Sequence, residues 1–143
     1  MIMEKKYWIA VVSKDHVEKG IELEIMQVCH GKKAPLKKIH KGDNIVFYSS
    51  KQKLGDKDPY QKFTAIAEAI DDEIYQVTMF ENFEPFRRKV AFLDCIETEI
   101  RPLIEDLEFI KNKKHWGYPF RYGLVQISAS DFGLISSKML LKR

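Results

Sequence analysis

Short apolar runs, broken by polar segments carrying Gly, Pro and Lys, set the pattern of this chain. The central run is Ile45-Val46-Phe47-Tyr48. It follows the turn dipeptide Gly42-Asp43, in which Gly accepts positive φ and Asp bonds nearby amides, and it opens into Ser49-Ser50-Lys51. Being apolar on both faces, it predicts a strand buried on two sides. Tyr7 to Ser13 predicts a first strand of the same kind, and Phe63 to Ile70 a third. Tyr75 to Met79 reads as a shorter strand and Tyr122 to Ile127 as the last. Phe86 to Leu93 alternates, with Phe86, Arg88, Val90 and Phe92 on one face and Arg87 and Lys89 on the other.

Helical signals are shorter. Asp15-His16-Val17-Glu18 carries the spacing of a helix start, and Gly20 is placed to end that helix. Ile21 to Val28 fits helix or strand. Leu36 to His40 reads as one helical turn. Pro102 to Ile110 predicts an amphipathic α-helix, with Leu103, Ile104, Leu107 and Ile110 on its apolar face. Ser130-Asp131-Phe132 opens a terminal helix that turns Phe132, Ile135 and Met139 inward. Cys29 to Pro35, Lys51 to Tyr60 and Lys111 to Arg121 read as loops, with Asp71-Asp72-Glu73 a turn. No repeat or linker interrupts the chain, so residues 1–143 are predicted to form one domain. Five or six mostly antiparallel strands with short helices outside predict an α+β small barrel.

Composition narrows the class. With 143 residues, 45% of them hydrophobic, the chain can bury one sizeable core. No apolar run approaches the ~20 residues that span a bilayer. Met1 to Lys6 lacks the apolar stretch of a signal peptide. Two cysteines, Cys29 and Cys95, make no disulfide framework. A cytoplasmic monomer that does not engage membranes is expected. The net charge of +3 is unevenly spread. Between His30 and Lys62 nine lysines face three aspartates, whereas every charge from Glu68 to Glu84 is acidic. A basic block flanking the central strand suits a polyanion such as DNA or RNA, or is a solvated lysine-rich surface.

Candidate chemistry is sparse. Cys29-His30 sets a thiol beside an imidazole, but neighbours on an extended loop point to opposite sides, and no orienting group is visible. No catalytic residue is therefore assigned. A small enzyme acting on a nucleotide or nucleoside with Cys29 as nucleophile is the alternative, as is an interaction domain for a peptide or metabolite. His16, His30, His40 and His115 are scattered, so no metal is expected, and the isolated glycines predict no cofactor. The amides of His30-Gly31-Lys32 suit an anion-binding nest or a plain basic loop. Trp116-Gly117-Tyr118-Pro119-Phe120-Arg121 is the densest aromatic segment. Trp116 can stack a nucleobase or plug the barrel, and Trp8 can supply a second wall or the same plug. Arg88 and Arg121 contact phosphate or brace the loop.

These motifs, in order, resemble the stand-alone bacterial EVE-domain proteins: Tyr7-Trp8-Ile9, Gln27 to Lys32, Ala34-Pro35-Leu36, Gly42-Asp43 with Tyr48-Ser49, Phe63 to Ile66, Phe86-Arg87-Arg88, and Trp116 to Arg121. The resemblance runs from about Tyr7 to Ile135. It implies a PUA-like barrel related to YTH domains, which read a methylated adenine in an aromatic cage. It implies recognition of a modified base in DNA or RNA by binding rather than catalysis. By matching position, Ser13, Tyr48 and Ser49 would line the base pocket, the Cys29-His30-Gly31-Lys32 loop would rim it, and Trp116 and Gly117 would close it. Apart from the resemblance, the basic side chains Lys32, Lys33, Lys51, Arg88 and Arg121 are the candidate phosphate contacts by charge.

Overall fold

A computed structural model describes residues 4–140, so the start of the Met1–Lys6 segment lies outside it. The expected α+β architecture is present, with more strands than predicted. Strands β1 (Tyr7–Val11), β3 (Asn44–Ser49), β4 (Lys62–Ala69), β6 (Phe86–Phe92) and β8 (Leu124–Ile127) carry the sheet. Three two-residue strands, β2 (Ile25–Met26), β5 (Tyr75–Gln76) and β7 (Thr98–Glu99), complete it. The order is β2-β6-β4-β3-β1-β8, with β5 on β6 and β7 on β4. The path ends at β2 and β8, so the barrel expected from sequence is an open one. Every pairing is antiparallel except β1 with β3.

That parallel pair needs a crossover, which α1 (Lys14–Leu23), β2 and the short α2 (Lys33–Leu36) supply. They cover one face of the sheet, where Trp8, Ala10, Ile45, Phe47 and Ala67 meet Val17 of α1, Met26 of β2 and Leu36 of α2. On the other face Ile9, Val46, Tyr48 and Ile66 meet Leu103, Leu107, Ile110, and Ile135 and Met139 of α3 (Ala129–Met139). Strand period two sends alternate residues to the two faces. All six residues of β3 are therefore buried, as its doubly apolar sequence requires.

One irregularity breaks the period. Phe47 pairs with Ala65 but Tyr48 pairs with Phe63, so Thr64 is the extra residue of a β-bulge. The bulge turns Phe63 to the face of Ile66, although Phe63 and Ala65 have the same parity. Thr64 Oγ1 lies 2.9 Å from Ser49 Oγ and 3.4 Å from the Phe47 carbonyl, so its polar atom is satisfied inside.

Helix boundaries depart from the sequence reading. The chain leaves β1 through Ser13, the N-cap of α1, and not through Asp15. Gly20 does not end α1. It is buried within the helix, where a Cβ would come 2.8 Å from the Ile25 carbonyl oxygen, and Glu24 in the left-handed region makes the stop. The ambiguous Ile21 to Val28 segment is thus the end of a helix followed by a short strand.

The predicted α-helix over Pro102–Ile110 is instead a 3₁₀ segment, Arg101–Asp106, followed by turns. The apolar spacing of Leu103, Leu107 and Ile110 serves core contact in either form. Tertiary partners replace the α-helical ladder. Asp131, buried at the start of α3, accepts the amides of Glu108 and Phe109 at 2.8 and 2.9 Å. Lys113 Nζ donates to the carbonyls of Ile104 and Leu107 at 2.9 and 2.7 Å. Sequence periodicity cannot register bonds made to residues so far along the chain.

Asp43 holds β1 and β3 together at their N-terminal ends. It is 2% exposed; Oδ1 accepts the Lys6 amide at 3.0 Å, and Oδ2 accepts Trp8 Nε1 at 3.0 Å and the His40 amide at 2.9 Å. Trp8 is therefore a core side chain whose polar atom is satisfied, and the reading of it as a pocket wall is withdrawn. No helix of the described residues is long and apolar enough to cross a membrane. Asp43→Ala is expected to lower unfolding free energy by about 2–4 kcal/mol, since the buried Trp8 indole and two partly buried amides lose a charged acceptor. Urea unfolding should show a lower midpoint with an unchanged slope. An unmoved midpoint would show that the three bonds contribute nothing net.

Candidate functional site

A cleft of about 450 Å³ opens where β1 and β3 end. Because these strands are parallel, their C-terminal residues lie at one end of the sheet: Val11 from β1, Tyr48 at the end of β3, and Ser50 just beyond it. Gln61 contributes from just before β4, and Lys114, His115, Trp116, Gly117, Phe120 and Arg121 from the aromatic loop opposite.

Local bonds shape that loop. Asn112 Oδ1 accepts the amides of Lys114 and His115 at 3.1 and 3.2 Å, an Asx turn that starts it. A 3₁₀ turn, Tyr118–Tyr122, then carries Phe120 into the core. Phe120 stacks on Tyr48 with centroids 4.2 Å apart, and Trp116 meets Phe120 edge-on at 6.4 Å. Trp116 is half-buried, with the Arg101 guanidinium 5.4 Å from its ring centre. Arg101 Nε also donates to Gln61 Oε1 at 3.1 Å. Arg121 lies over the exposed ring of Tyr118 at 4.3 Å. Burial pushes the Tyr48 phenol pKa up, only partly opposed by the positive charge of Arg101, so this group stays protonated in neutral solution. Among the described residues no carboxylate lines the cleft.

The structure brings together some of the predicted site residues and separates others. Tyr48, Trp116, Gly117 and Arg121 line one cleft. Ser49 does not. It is fully buried, its Oγ donates to the Val12 carbonyl at 2.6 Å and pairs with Thr64, and the alternation of the strand gives the cleft to Ser50 instead. Ser13 Oγ donates to Asp15 Oδ1 at 2.7 Å within the α1 cap.

Cys29, His30 and Gly31 form a separate turn with φ of 51°, 60° and 83°. Three consecutive left-handed residues are unusual, and packing holds them there. Gly31 sits so close to Pro85 that a Cβ would lie 2.4 Å from the proline Cβ, and its amide is used by the Val28 carbonyl at 3.0 Å. That amide is not free for an anion nest, which leaves the plain-loop alternative. Cys29 Sγ faces the Tyr122 carbonyl at 3.7 Å and packs where Gly123 lacks a side chain. The turn therefore buttresses the far end of the aromatic loop. His30 is exposed.

Arg88 is not a phosphate contact. It is 1% exposed, and its guanidinium donates to the carbonyls of Leu36 at 3.0 Å, Ile39 and Asp71. It closes the end of α2 and the turn after it. Burial lowers its pKa, with Asp72, Asp71 and Asp43 opposing that shift. The remaining lysines are dispersed. Lys32 precedes α2 on the surface, Lys33 Nζ lies 5.5 Å from the ring centre of Phe86, and Lys51 Nζ donates to the Lys57 carbonyl at 3.0 Å. Lys41 precedes β3 whereas Lys51 follows it, so the basic block is divided between opposite ends of a six-residue strand, roughly 20 Å apart. Among the described residues no cluster of three or more His, Cys, Asp or Glu could hold a metal.

Several participants escaped sequence reasoning, among them Lys114, Gln61 and Arg101. Gln61 has φ of 53°, a conformation a non-glycine residue rarely adopts, and only its place after the Lys51–Tyr60 loop hinted at it.

Comparison with known proteins places this geometry in a family. The EVE domain model matches residues 6–138. A Bacillus licheniformis protein, named as a UPF0310 protein in the gntR 5′ region, is 52% identical over 137 residues, 96% of this chain and 93% of its own. Among solved structures, a hypothetical protein from Leishmania major has a TM-score of 0.61 at 15% identity, covering 94% of each chain. The Pho92 YTH domain in complex with m6A has a TM-score of 0.52 at 14% identity, covering 98% of this chain and 91% of its own. At such identities these two establish a common fold and nothing more. The family match over nearly the whole described chain, together with half-identical relatives and a YTH-like fold, shows that the chain belongs to the EVE domain family and adopts its PUA-like α+β architecture.

Proposed function

We propose that this protein is a nucleic-acid-binding module that takes one base, unmodified or modified, into the cleft between the ends of β1 and β3 and the Trp116 loop. One observation carries the reading: an aromatic-walled cleft edged by Lys114 and Arg121 and free of carboxylates. Trp116 offers a π-face that any base can use, worth about 1–3 kcal/mol per stacked base. The two cations suit the flanking phosphates. A base must leave a duplex to reach such a cleft, at a cost of a few kcal/mol that a single-stranded or damaged site largely avoids. Likeness of fold to a YTH domain bound to m6A supports the reading and leaves the identity of the base open.

Binding, not catalysis, is the role proposed. The thiol of Cys29 is directed at a backbone carbonyl, and the left-handed turn that holds it braces the aromatic loop. A buttress needs no activated thiolate.

Fluorescence anisotropy with single- and double-stranded oligonucleotides, with and without base modifications and at two salt concentrations, tests the proposal. Affinity should fall as salt rises. Trp116→Ala should weaken binding by about 5- to 100-fold for strands that carry bases, while the pair Lys114→Ala, Arg121→Ala should weaken all strands alike and flatten the salt dependence. Absence of binding to every nucleic acid at low salt would refute it.

A second measurement addresses catalysis. Under native conditions at neutral pH, alkylation of Cys29 should proceed no faster than that of a free thiol such as glutathione, and Cys29→Ser should retain oligonucleotide binding. A rate about tenfold or more above glutathione would restore the nucleophile reading.

A further inference from the structure

The polar groups around the cleft are mostly donors, and one of them is held in a defined orientation. Gln61 is anchored through its backbone: its amide faces the Ser50 carbonyl at 3.4 Å and its carbonyl accepts the Ile100 amide at 3.2 Å. Its side-chain oxygen accepts from Arg101 Nε. A guanidinium can only donate, so the oxygen is the amide atom turned to Arg101, and the Nε2 amino group is left as the free end. Arg101 is itself set against the Trp116 ring. The base-stacking wall and the oriented amide are therefore parts of one unit, Trp116–Arg101–Gln61. The other charged groups at the cleft, Lys114 and Arg121, also donate, and Tyr48 is held in its neutral form by burial. Acceptors are few: the hydroxyls of Ser50 and Tyr48, an imidazole and backbone carbonyls.

We infer that Gln61 is a specificity-determining residue, and that the cleft prefers a base carrying an exocyclic keto oxygen over the corresponding amino base. This rests on the base-binding reading above. Uracil and cytosine differ in this way at C4, and guanine and adenine at C6, where guanine carries in addition a 2-amino group, so the pyrimidine pair is the cleaner comparison. A keto oxygen meets Nε2–H as an acceptor meets a donor. An amino group at the same place meets donor with donor, and both lose water without a partner. A site built to hydrogen-bond one polar group rejects the analogue that cannot reciprocate more sharply than an apolar pocket rejects a change of size.

The test uses single-stranded hexanucleotides with one central base and abasic flanks, so that phosphate contacts stay constant. The central residue is guanine, adenine, uracil, cytosine or abasic, and binding is followed by fluorescence anisotropy. Guanine should be bound about fivefold or more above adenine, and uracil above cytosine by a similar factor. Gln61→Ala should bring both ratios close to one. Gln61→Glu keeps the shape, leaves one oxygen for Arg101 and presents the other as an acceptor, so it should invert the ratios. Arg101→Met frees the amide to flip and should lower the ratios without abolishing dependence on a base. Equal binding of all four bases above the abasic strand would overturn this inference and leave the base-binding reading standing. Binding indifferent to whether any base is present would overturn both.

Discussion

The Asp43 carboxylate is the point on which the arrangement depends. It gathers the Lys6 amide, the Trp8 indole and the His40 amide around one buried charge. A buried carboxylate is tolerable only when donors surround it, so the three bonds have to form together. In forming, they pin the start of β1 to the turn before β3 and fix the parallel register in which Tyr7 lies beside Asn44. A parallel pair brings both C-terminal ends to the same edge. The cleft exists because Val11 and Tyr48 arrive there side by side.

At that edge the strands part, and the parting is managed by hydroxyls. Ser49 reaches across to the Val12 carbonyl and to Thr64, the bulged residue of β4. These bonds satisfy backbone and side chain inside the sheet and close its end beneath the cleft. The bulge turns Phe63 onto the Tyr48 face, where the two rings meet edge-on at 5.6 Å. Tyr48 is thereby clamped between Phe63 and Phe120, and Phe120 carries Trp116. Rigidity at the aromatic wall follows from this chain of packed rings. An aromatic surface fixed in advance loses less entropy when another ring packs on it.

Several residues that look chemical in the sequence turn out to be structural, for a common reason. Arg88, Asp43, Asp131 and Lys113 each supply hydrogen bonds to backbone groups left over where short helices and turns end. Short helices have a high proportion of such orphan groups. A fold built from a four-residue α2 and 3₁₀ segments therefore recruits charged side chains to satisfy them. The lysine block is diluted by the same geometry, since β3 carries its two halves to opposite ends of the sheet.

Local pattern determined the five long strands, the doubly buried character of β3, the alternation of Phe86 to Phe92, the terminal helix and, through seven ordered motifs, the family. These are short-range or order-of-chain properties, and hydrophobic periodicity records them. It also marked the Trp116 loop as the segment to watch. Tertiary structure alone decided which polar residue faces which way. Ser49 and Ser50 are identical in sequence terms, and strand alternation sends one into the sheet and the other to the cleft. Arg88 and Arg121 read alike in the sequence, as phosphate contacts or braces; one is consumed by three carbonyls while the other lines the cleft beside Tyr118. Gln61, with no motif to announce it, becomes an oriented donor only because Arg101, distant in sequence, holds its oxygen. Partners so far apart along the chain leave no trace in local pattern, because what joins them is the fold.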